Sequence, residues 1–359
     1  MYQHVPTGVG SSRRDLTLSP KDLTGVLRDG ARWAVARGFG HAEDLLHIEE
    51  GGCLAGADPS RVSARALERG QSQLGTLGSG NHFAEIQYVS DIYDEAAADA
   101  FGLHLHQVTV MIHSGSRGLG HQVCDDHLRV MLDAARTYGI VLPDRQLCCA
   151  PIASAEGQAY LAAMAAAANF AFANRQVMSH WVRESLASAL GTSVARLGLH
   201  TVYDVCHNIA KFETFRIDGA NRRVCVHRKG ATRAYAPGHP QTPDAYRHVG
   251  QPVLIPGDMG RYSYVLAGTA QAHTDTFGST CHGAGRRMSR HEAKRSVRGR
   301  SLIREMEDRG VVVMARGMAT VAEEMPEAYK DVADVVAVVH GAGISRKVAR
   351  LKPMGVIKG

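Results

Sequence analysis

Histidines recur at one kind of position along this chain. His82, His113, His207 and His282 each lie where an apolar, strand-like run meets a loop with small or polar residues. Polar side chains at such junctions are presented by a rigid sheet, so the four could meet in one site. Neutral imidazoles bind Mn, Fe, Zn and similar divalent ions, and ligands on distant loops are usual in catalytic metal sites. The pattern favours a metal site, and the alternative is four buried, hydrogen-bonded core histidines.

Two glycine- and serine-rich loops beside these histidines could bind an anion. They are SGNH (79–82) and HSGSRG (113–118), and Arg117 in the second could hold a phosphate with two hydrogen bonds. The segment HRKGATRA adds Lys229 and Arg233 to the positive side of such a site. Plain turns explain each loop equally well. The arginine-rich segment 286–300 fits a solvated helix face at least as well as an RNA contact.

The elements that must position these residues are helices and short strands. A helix-like stretch covers 21–38, and the clearest helix covers 154–190, with Ser154 as its N-cap. Alternating residues from Phe83 predict a strand, and a helix is expected from Gly120. TVYDVCHNIAKFE, RRVCVHRKGATRAY, QPVLIPGDMGRYSYVLAGT and VVAVVHGAGISRK carry β-branched runs, which favour strands. The prediction is a single domain over residues 1–359.

Composition excludes several classes of protein. The chain has 359 residues, 45% hydrophobic, and a net charge of +6, which mildly favours an anionic partner such as a nucleotide or nucleic acid. It has no apolar run long enough to span a bilayer and no signal segment, so we expect a cytoplasmic protein with no membrane partner. Its 7 cysteines form an odd number without a CxxC pair, which argues against a disulfide framework and a cysteine zinc site.

Eight segments together resemble the RtcB-type RNA ligases, and they occur in the order of that family. They are QLGTLGSGNHFAEI, HSGSRGLGH, HNIAKFE, HRKGATRAY, PVLIPGDMGRYSYVLAGT, CHGAGRRMSR, YKDVADVV and LKPMGVIKG. The resemblance covers essentially the whole chain. It implies an α+β fold of mixed sheets with outer helices.

The resemblance also implies an activity. Enzymes of this type use GTP and Mn²⁺ to join an RNA 3′-phosphate or 2′,3′-cyclic phosphate end to a 5′-hydroxyl end, in tRNA splicing or RNA repair. His282 matches the nucleophile that attacks the α-phosphate of GTP and carries GMP through a phosphoramidate. GMP then passes to the RNA 3′-phosphate before the 5′-hydroxyl attacks. An archease-like activating protein is a further partner of some relatives.

The matched motifs assign roles to further residues. His82, His113 and His207 match metal ligands, and Glu85 would accept hydrogen bonds from guanine. The positions that match nucleotide contacts are Asn81, Phe83, Glu85, Asn208, Pro256, Gly257, Asp258, Met259, Ser263, Gly283, Ala284, Gly285, Tyr329 and Lys358. Those expected to hold phosphates or RNA are Arg117, Lys229 and Arg286. Asp258 departs from the pattern, because the family often has Ser or Thr there.

A second departure concerns the metal. The family carries a D-x-x-C-G segment upstream of GNHF whose aspartate and cysteine ligate both manganese ions, and this chain has no such segment. We therefore expect a chain that is N-terminally truncated relative to the family, with a weakened second metal site. Two alternatives to an active ligase remain: a non-catalytic protein that binds RNA or GMP, and a different histidine-rich, metal-dependent phosphohydrolase.

Overall fold

The computed structural model describes residues 1–299 and 301–359. The α-helices, in chain order, are α1 (Pro20–Asp29), α2 (Ala31–Ala36), α3 (Ala64–Gly70), α4 (Glu95–Phe101), α5 (Arg117–Thr137), α6 (Ala155–Ala189), α7 (Val194–Leu197), α8 (Ala270–Asp275), α9 (Arg290–Ser296), α10 (Leu302–Asp308), α11 (Met318–Glu323) and α12 (Val332–Gly341). The strands are β1 (Phe83–Ile92), β2 (Val108–His113), β3 (Asn208–Ile217), β4 (Ala220–Lys229), β5 (Ala231–Arg233), β6 (Pro252–Ile255), β7 (Ser263–Gly268), β8 (Ser279–Cys281), β9 (Val312–Ala315) and β10 (Ser345–Lys358). The expected α+β class is confirmed.

One mixed sheet forms the centre of the fold. Its strands run in the order β2-β1-β10-β7-β6, and β9 pairs in parallel with the last residues of β10. The long strand β10 pairs with β1 on one side and with β7 and β9 on the other. A core that includes Met111, Val265, Leu351 and Val356 packs on this sheet. The remaining pairings in the sheet are antiparallel, so neighbouring strands place their opposite ends side by side.

The register of this sheet aligns three residues at one end. Phe83 lies opposite His113 of β2 and opposite Lys358 of β10. The start of β1 therefore meets the ends of β2 and β10 in one row, although these residues are far apart in the chain.

The predicted helix over 154–190 is confirmed as α6, which has 35 residues. The Ser154 side chain caps it by accepting a hydrogen bond from the Gly157 backbone N–H. Its alanine-rich stretch, which includes Ala163, Ala166 and Ala173, packs in a core with residues of α1, α2, α3 and α5. Alanine has no side chain beyond Cβ, so these helices approach α6 closely.

Two smaller sheets flank the site end of the central sheet. Strands β3 and β4 form a two-stranded ribbon, which we call the β3–β4 ribbon, with Asn208 paired to Lys229 at its open end. Strands β5 and β8 pair so that Ala231 lies opposite Cys281. Each pairing ends beside one of the histidine-bearing loops.

Two expectations need correction. The valine-rich run VVAVVH is helical in α12, because Asp331 caps Ala333 and the buried Val332 and Val336 pack one turn apart on one face. Packing of that face outweighs the β propensity of valine. The helix-like stretch 21–38 is broken at Gly30, whose φ is +58° and which lies against the Gly52 carbonyl. Among the described residues no helix has the length and apolar character needed to cross a membrane.

Candidate active site

The four histidines singled out in the sequence lie together. The Nε2 atoms of His113 and His207 are 2.9 Å apart. Ring centroids are separated by 5.9 Å for His82 and His113, and by 4.6 Å for His207 and His282. His282 is also 6.4 Å from His113 between ring centroids. The loops that carry them come from three separate sheets and meet at one point.

Each histidine is held by the end of a strand. His113 is the last residue of β2, and His82 immediately precedes β1 beside it. His207 immediately precedes β3, and its carbonyl accepts a hydrogen bond from the Gly230 backbone N–H at 3.0 Å. His282 immediately follows β8. Four strand ends therefore fix the cluster.

Burial keeps these imidazoles neutral. Desolvation lowers the pKa of His82 to about 3 and that of His207 to about 4, with further lowering by neighbouring positive charge. The pKa of His113 falls well below its usual value for the same reason, and burial also lowers the pKa of His282. A neutral imidazole offers a lone pair to a metal ion or an electrophile. The site therefore holds its histidines in the protonation state that can bind a metal ion or act as a nucleophile.

The imidazoles are donors of the type that transition metals bind, but their arrangement does not complete a metal site. Neutral imidazole nitrogens are ligands for divalent ions of this kind, and the buried Nδ1 of His207 has no hydrogen-bond partner. Within residues 1–299 and 301–359, no three His, Cys, Asp or Glu side chains are grouped so that they could hold an ion. The closest pair of donor atoms is Nε2 of His113 and Nε2 of His207.

Arg117 lies against the cluster in a strained conformation. Its φ is +56°, in the left-handed region that non-glycine residues rarely adopt. Its guanidinium donates to Thr76 Oγ1 at 3.1 Å and lies 3.5 Å from Nδ1 of His82. Burial lowers the pKa of Arg117 to about 10. Gly78 has a φ of +100°, and a Cβ atom on it would lie 1.8 Å from Nη1 of Arg117, so a larger residue there would be strained and would displace this guanidinium.

A cavity of about 1220 Å³ opens onto the cluster. Its wall includes His113, His207, His282 and Lys229, and it extends between the central sheet and α6. The volume is larger than that of a typical small-molecule pocket. It can admit a nucleotide to the ring of His282.

Three residues expected to contact a nucleotide, Glu85, Gly257 and Ser263, join a polar chain through Gln87, which lies on the cavity wall. Gln87 donates to Glu85 Oε1 at 2.6 Å and to Ser263 Oγ at 3.1 Å. Ser263 Oγ accepts in turn from the Gly257 backbone N–H at 3.3 Å. Burial raises the pKa of Glu85 to about 7, with partial compensation from Gln87 and Lys358. Glu85 is therefore a carboxyl group that changes charge near neutral pH.

The HGAG segment touches the other predicted nucleotide loops. A Cβ atom on Gly283 would lie 3.4 Å from the Pro256 carbonyl oxygen, and the Gly285 carbonyl accepts from the Lys330 backbone N–H at 3.0 Å. Ala284 and Met259 are buried, whereas Asn81 is exposed. The HGAG segment therefore lies against the PGDM turn and the loop that carries Tyr329.

Comparison with known proteins decides the family. A family model described as tRNA-splicing ligase RtcB matches residues 1–359. The chain belongs to the RtcB family. This confirms the resemblance on which the site residues were assigned.

Three similar relatives are each named tRNA-splicing ligase RtcB. The protein of Archaeoglobus fulgidus is 57% identical over 359 residues, which are 100% of this chain and 74% of the relative. That of Thermococcus kodakarensis is 55% identical, again over 100% of this chain and 74% of the relative. That of Pyrococcus abyssi is 55% identical over 100% of this chain and 39% of its own length.

Sequence reasoning missed one carboxylate in this RtcB-family site. The buried side chain of Glu324 binds Arg286 Nη1 at 3.1 Å, accepts from the Tyr329 hydroxyl, and lies 3.6 Å from Lys358 Nζ. Arg286, Tyr329 and Lys358, which were predicted to contact nucleotide or phosphate, therefore all contact the Glu324 carboxylate. Glu324 lies in AEEMPEAY, where nothing in the local pattern distinguishes it from Glu323.

Asp258, the variant position of the PGDM turn, has a structural partner. Its buried carboxylate pairs with Arg261 Nε at 3.0 Å and accepts from the Gly260 backbone N–H at 3.0 Å. Burial raises the pKa of Asp258, with partial compensation from Arg261. The preceding Gly257 cannot be replaced without strain, because a Cβ atom there would lie 1.9 Å from the Tyr262 carbonyl.

The basic residues divide into bound and free groups. Arg286 is engaged by Glu324, Tyr329 and backbone carbonyls. Arg233, which the sequence grouped with Lys229, is buried and paired with Glu50 at 3.0 Å. Lys229 is exposed.

In the arginine-rich segment, α9 forms an exposed helix face as expected, and Arg300 lies outside the described residues. The metal, nucleotide and phosphate roles of all these residues remain predictions.

Proposed function

We propose that this chain is an RNA ligase that joins a 3′-phosphate or 2′,3′-cyclic phosphate end to a 5′-hydroxyl end. The relatives' names support tRNA as the RNA that it splices. One observation carries the proposal: His282 lies beside His113 and His207 on the wall of a cavity large enough for a nucleotide. Family membership over the whole chain supports the same activity.

His282 is the proposed nucleophile. Its neutral nitrogen attacks the α-phosphorus of GTP, a phosphorus–nitrogen bond forms, and pyrophosphate leaves. The RNA 3′-phosphate then displaces the histidine and takes GMP. Attack of the 5′-hydroxyl oxygen on the RNA phosphorus forms the new phosphodiester and releases GMP. Because GMP is a better leaving group than an oxide ion, the histidine step makes the final step feasible.

Glu85 is the proposed reader of guanine. An ionised carboxylate accepts hydrogen bonds from the N1–H and amino group of guanine and repels the acceptor edge of adenine. The buried position of Glu85, with Gln87 and Ser263 beside it, supports this role. We propose the polar lining around it, which includes Tyr329 and Lys358, as the rest of the nucleotide site.

His82, His113 and His207 are the proposed ligands of a divalent ion, which we propose to be Mn²⁺. When bound, such an ion neutralises negative charge on phosphate oxygens. Arg117 and Lys229 are proposed to add positive charge for phosphates from two sides of the cluster. An archease-like activator and a cytoplasmic location also remain predictions.

Covalent labelling tests the proposal. The chain is incubated with Mn²⁺ and GTP labelled at the α-phosphate, denatured and separated from free nucleotide. We expect an acid-labile label on the unmodified chain and none on His282→Ala, because only the histidine nitrogen forms the phosphoramidate. His104→Ala is the matched control, since the His104 side chain is exposed. It should carry the label like the unmodified chain.

Two outcomes contradict the proposal. Equal labelling of His282→Ala would show that another residue is the nucleophile. Release of inorganic phosphate from RNA ends without any label on the unmodified chain would favour the alternative of a metal-dependent phosphohydrolase.

A further inference from the structure

The β3–β4 ribbon has one anchored face and one face that is exposed along most of its length, although Ala210 on the latter is buried beside Met164 of α6. On the anchored face, Arg228 binds both carboxylate oxygens of Glu213 at 2.6 and 2.8 Å and donates to Ser279 at 2.9 Å. Lys211 on the same face binds Glu49 at 2.7 Å. These buried ion pairs fix the ribbon to the rest of the protein.

The opposite face, which we call the outer face, is basic and lacks acid groups. Cross-strand pairing assigns to it Asn208, Ala210, Phe212, Thr214 and Arg216 of β3 and Asn221, Arg223, Cys225, His227 and Lys229 of β4. None of these ten residues is Asp or Glu. Arg216, Arg223 and Lys229 are exposed, and they form no ion pair with any other described residue. A row of free cations on a rigid support attracts a polyanion.

An aromatic ring lies within this row. Phe212 is 38% exposed, and the guanidinium carbon of Arg223 lies 4.8 Å from the centre of its ring. Single-stranded RNA is bound by stacking of its bases on aromatic rings and guanidinium planes, combined with contacts from cations to phosphates. An acidic peptide would use the cations but would gain little from a flat, exposed ring.

The outer face continues directly from the histidine cluster. Lys229 lies on the wall of the cavity that contains His282, and a Cβ atom on the next residue, Gly230, would lie 3.3 Å from the His282 ring. At a rise of about 3.3 Å per residue, Arg223 lies roughly 20 Å further along the strand. An RNA end at His282 would therefore have its preceding nucleotides above the outer face.

We propose that the outer face of the β3–β4 ribbon binds the single-stranded RNA segment that leads to the 3′-phosphate end. This inference rests on the proposed ligase function, because it places that RNA end at His282. The bases stack on Phe212, and Arg223, Lys229 and Arg216 contact phosphates. The surface binds without reading sequence, because neither stacking nor phosphate contacts distinguish the bases strongly.

Binding measurements on paired variants test this surface. The probe is a fluorescent single-stranded RNA of about 12 nucleotides with phosphates at both ends, within the length range of such surfaces. We expect Phe212→Ala and Arg223→Gln each to weaken its binding by about tenfold, from lost stacking and a lost phosphate contact. Arg223→Gln should also reduce the salt dependence, by about 0.7 in the slope of log affinity against log salt.

Arg222→Gln is the matched control. The substitution removes the same charge from an exposed position. Arg222 pairs with Phe215 across the ribbon and so lies on the face opposite to Arg223. It should bind the long RNA as the unmodified chain does. A single nucleoside 3′-phosphate, too short to reach either Phe212 or Arg223 from His282, should bind all the variants equally. Equal losses for Arg222→Gln and Arg223→Gln, or unchanged binding of the long RNA by Phe212→Ala and Arg223→Gln, would overturn the inference.

Labelling of His282 separates this inference from the ligase proposal. Transfer of GMP to His282 needs no RNA, so the ribbon variants should take up the label as the unmodified chain does. Normal labelling with unchanged RNA binding overturns the outer-face inference alone. Absence of label on the unmodified chain overturns the ligase proposal on which the inference rests.

Discussion

The position of the His282 ring depends on Gly230, which has no side chain where a Cβ atom would crowd the ring. Gly230 has a φ of +64°, and a Cβ atom on it would lie 3.3 Å from Cε1 and 3.5 Å from Nδ1 of His282. Such a contact is tighter than packing normally allows, so the ring would shift by a few tenths of an ångström. Small displacements of a reacting group lower rates strongly, because the reacting atoms must be aligned.

We therefore expect Gly230→Ala to lower the rate of GMP transfer to His282 by about tenfold. The substitution also costs about 1–2 kcal/mol of stability, because alanine disfavours a positive φ. The measurement is the initial rate of label uptake at a temperature where the variant is folded.

Gly219 at the tip of the same ribbon supplies the control. Its φ is +77°, and nothing lies within 4 Å of its ideal Cβ position. Gly219→Ala should lose similar stability and keep the normal rate. Equal rates for the two alanine variants would show that the position of the His282 ring does not depend on Gly230.

At the scale of elements, α6 positions the loops of the site through one buried amide. The Asn174 side chain accepts from the backbone N–H groups of Gly75 and Thr76 at 2.7 and 3.1 Å. It donates to the carbonyls of Thr76 and Gly115, each at 3.1 Å. These two loops lead into His82 and out of His113, so a single helix residue fixes their separation.

Asn174→Ala should destabilise the fold by about 3 kcal/mol, because buried backbone groups lose their partners. It should also lower His282 labelling severalfold at temperatures where the chain is still folded. Thermal melts and labelling rates measure the two effects separately.

Asn169 of the same helix is the matched control. Its equally buried amide binds Leu27, Arg28 and Leu54, away from the histidine loops. Asn169→Ala should lose comparable stability with normal labelling. If His282 takes up label at the same rate in both variants, Asn174 of α6 contributes to stability and does not position the site loops.

At the scale of the whole molecule, a buried charge network joins distant parts of the chain. Glu49 binds Lys211 of β3 at 2.7 Å and lies 3.5 Å from Arg233 of β5. Burial alone would raise the pKa of Glu49, but the two cations outweigh it and lower the pKa from 4.5 to about 2. The folded state therefore favours the ionised carboxylate.

This shift predicts loss of stability in acid. A carboxyl group whose folded pKa is lowered contributes stability above its unfolded pKa, here 4.5, and loses it as the pH falls toward 2. We expect the melting temperature of the unmodified chain to fall across that interval. Glu49→Gln should lower stability at neutral pH by about 1–3 kcal/mol, because Lys211 and Arg233 lose one of their two carboxylate partners and keep Glu50, and it should weaken the dependence on acid.

Circular dichroism melts over the acid range provide the measurement. Glu95→Gln, at an exposed position of α4, is the control and should keep the melting profile of the unmodified chain. A Glu49→Gln variant with an unchanged acid profile would show that other carboxylates control acid unfolding.

Part of this protein follows from local sequence. The N-cap Ser154 and the alanine run after it determine α6, because helix formation depends on neighbouring residues. The four histidines were recognisable because each stands where a strand-like run meets a loop. Local pattern failed for α12, where the packing of Val332 and Val336 outweighed the strand preference of a valine run.

What the sequence by itself determined is the family, the main helices and strands, and the residue types available for chemistry. Only the tertiary structure decided which of them meet: His113 with His207, Glu324 with Lys358, Arg233 with Glu50, and Asn174 with the site loops. Local conformation is set by a few adjacent residues, whereas these contacts join residues up to 183 positions apart. Their geometry depends on the packing of the entire core, which no local pattern records.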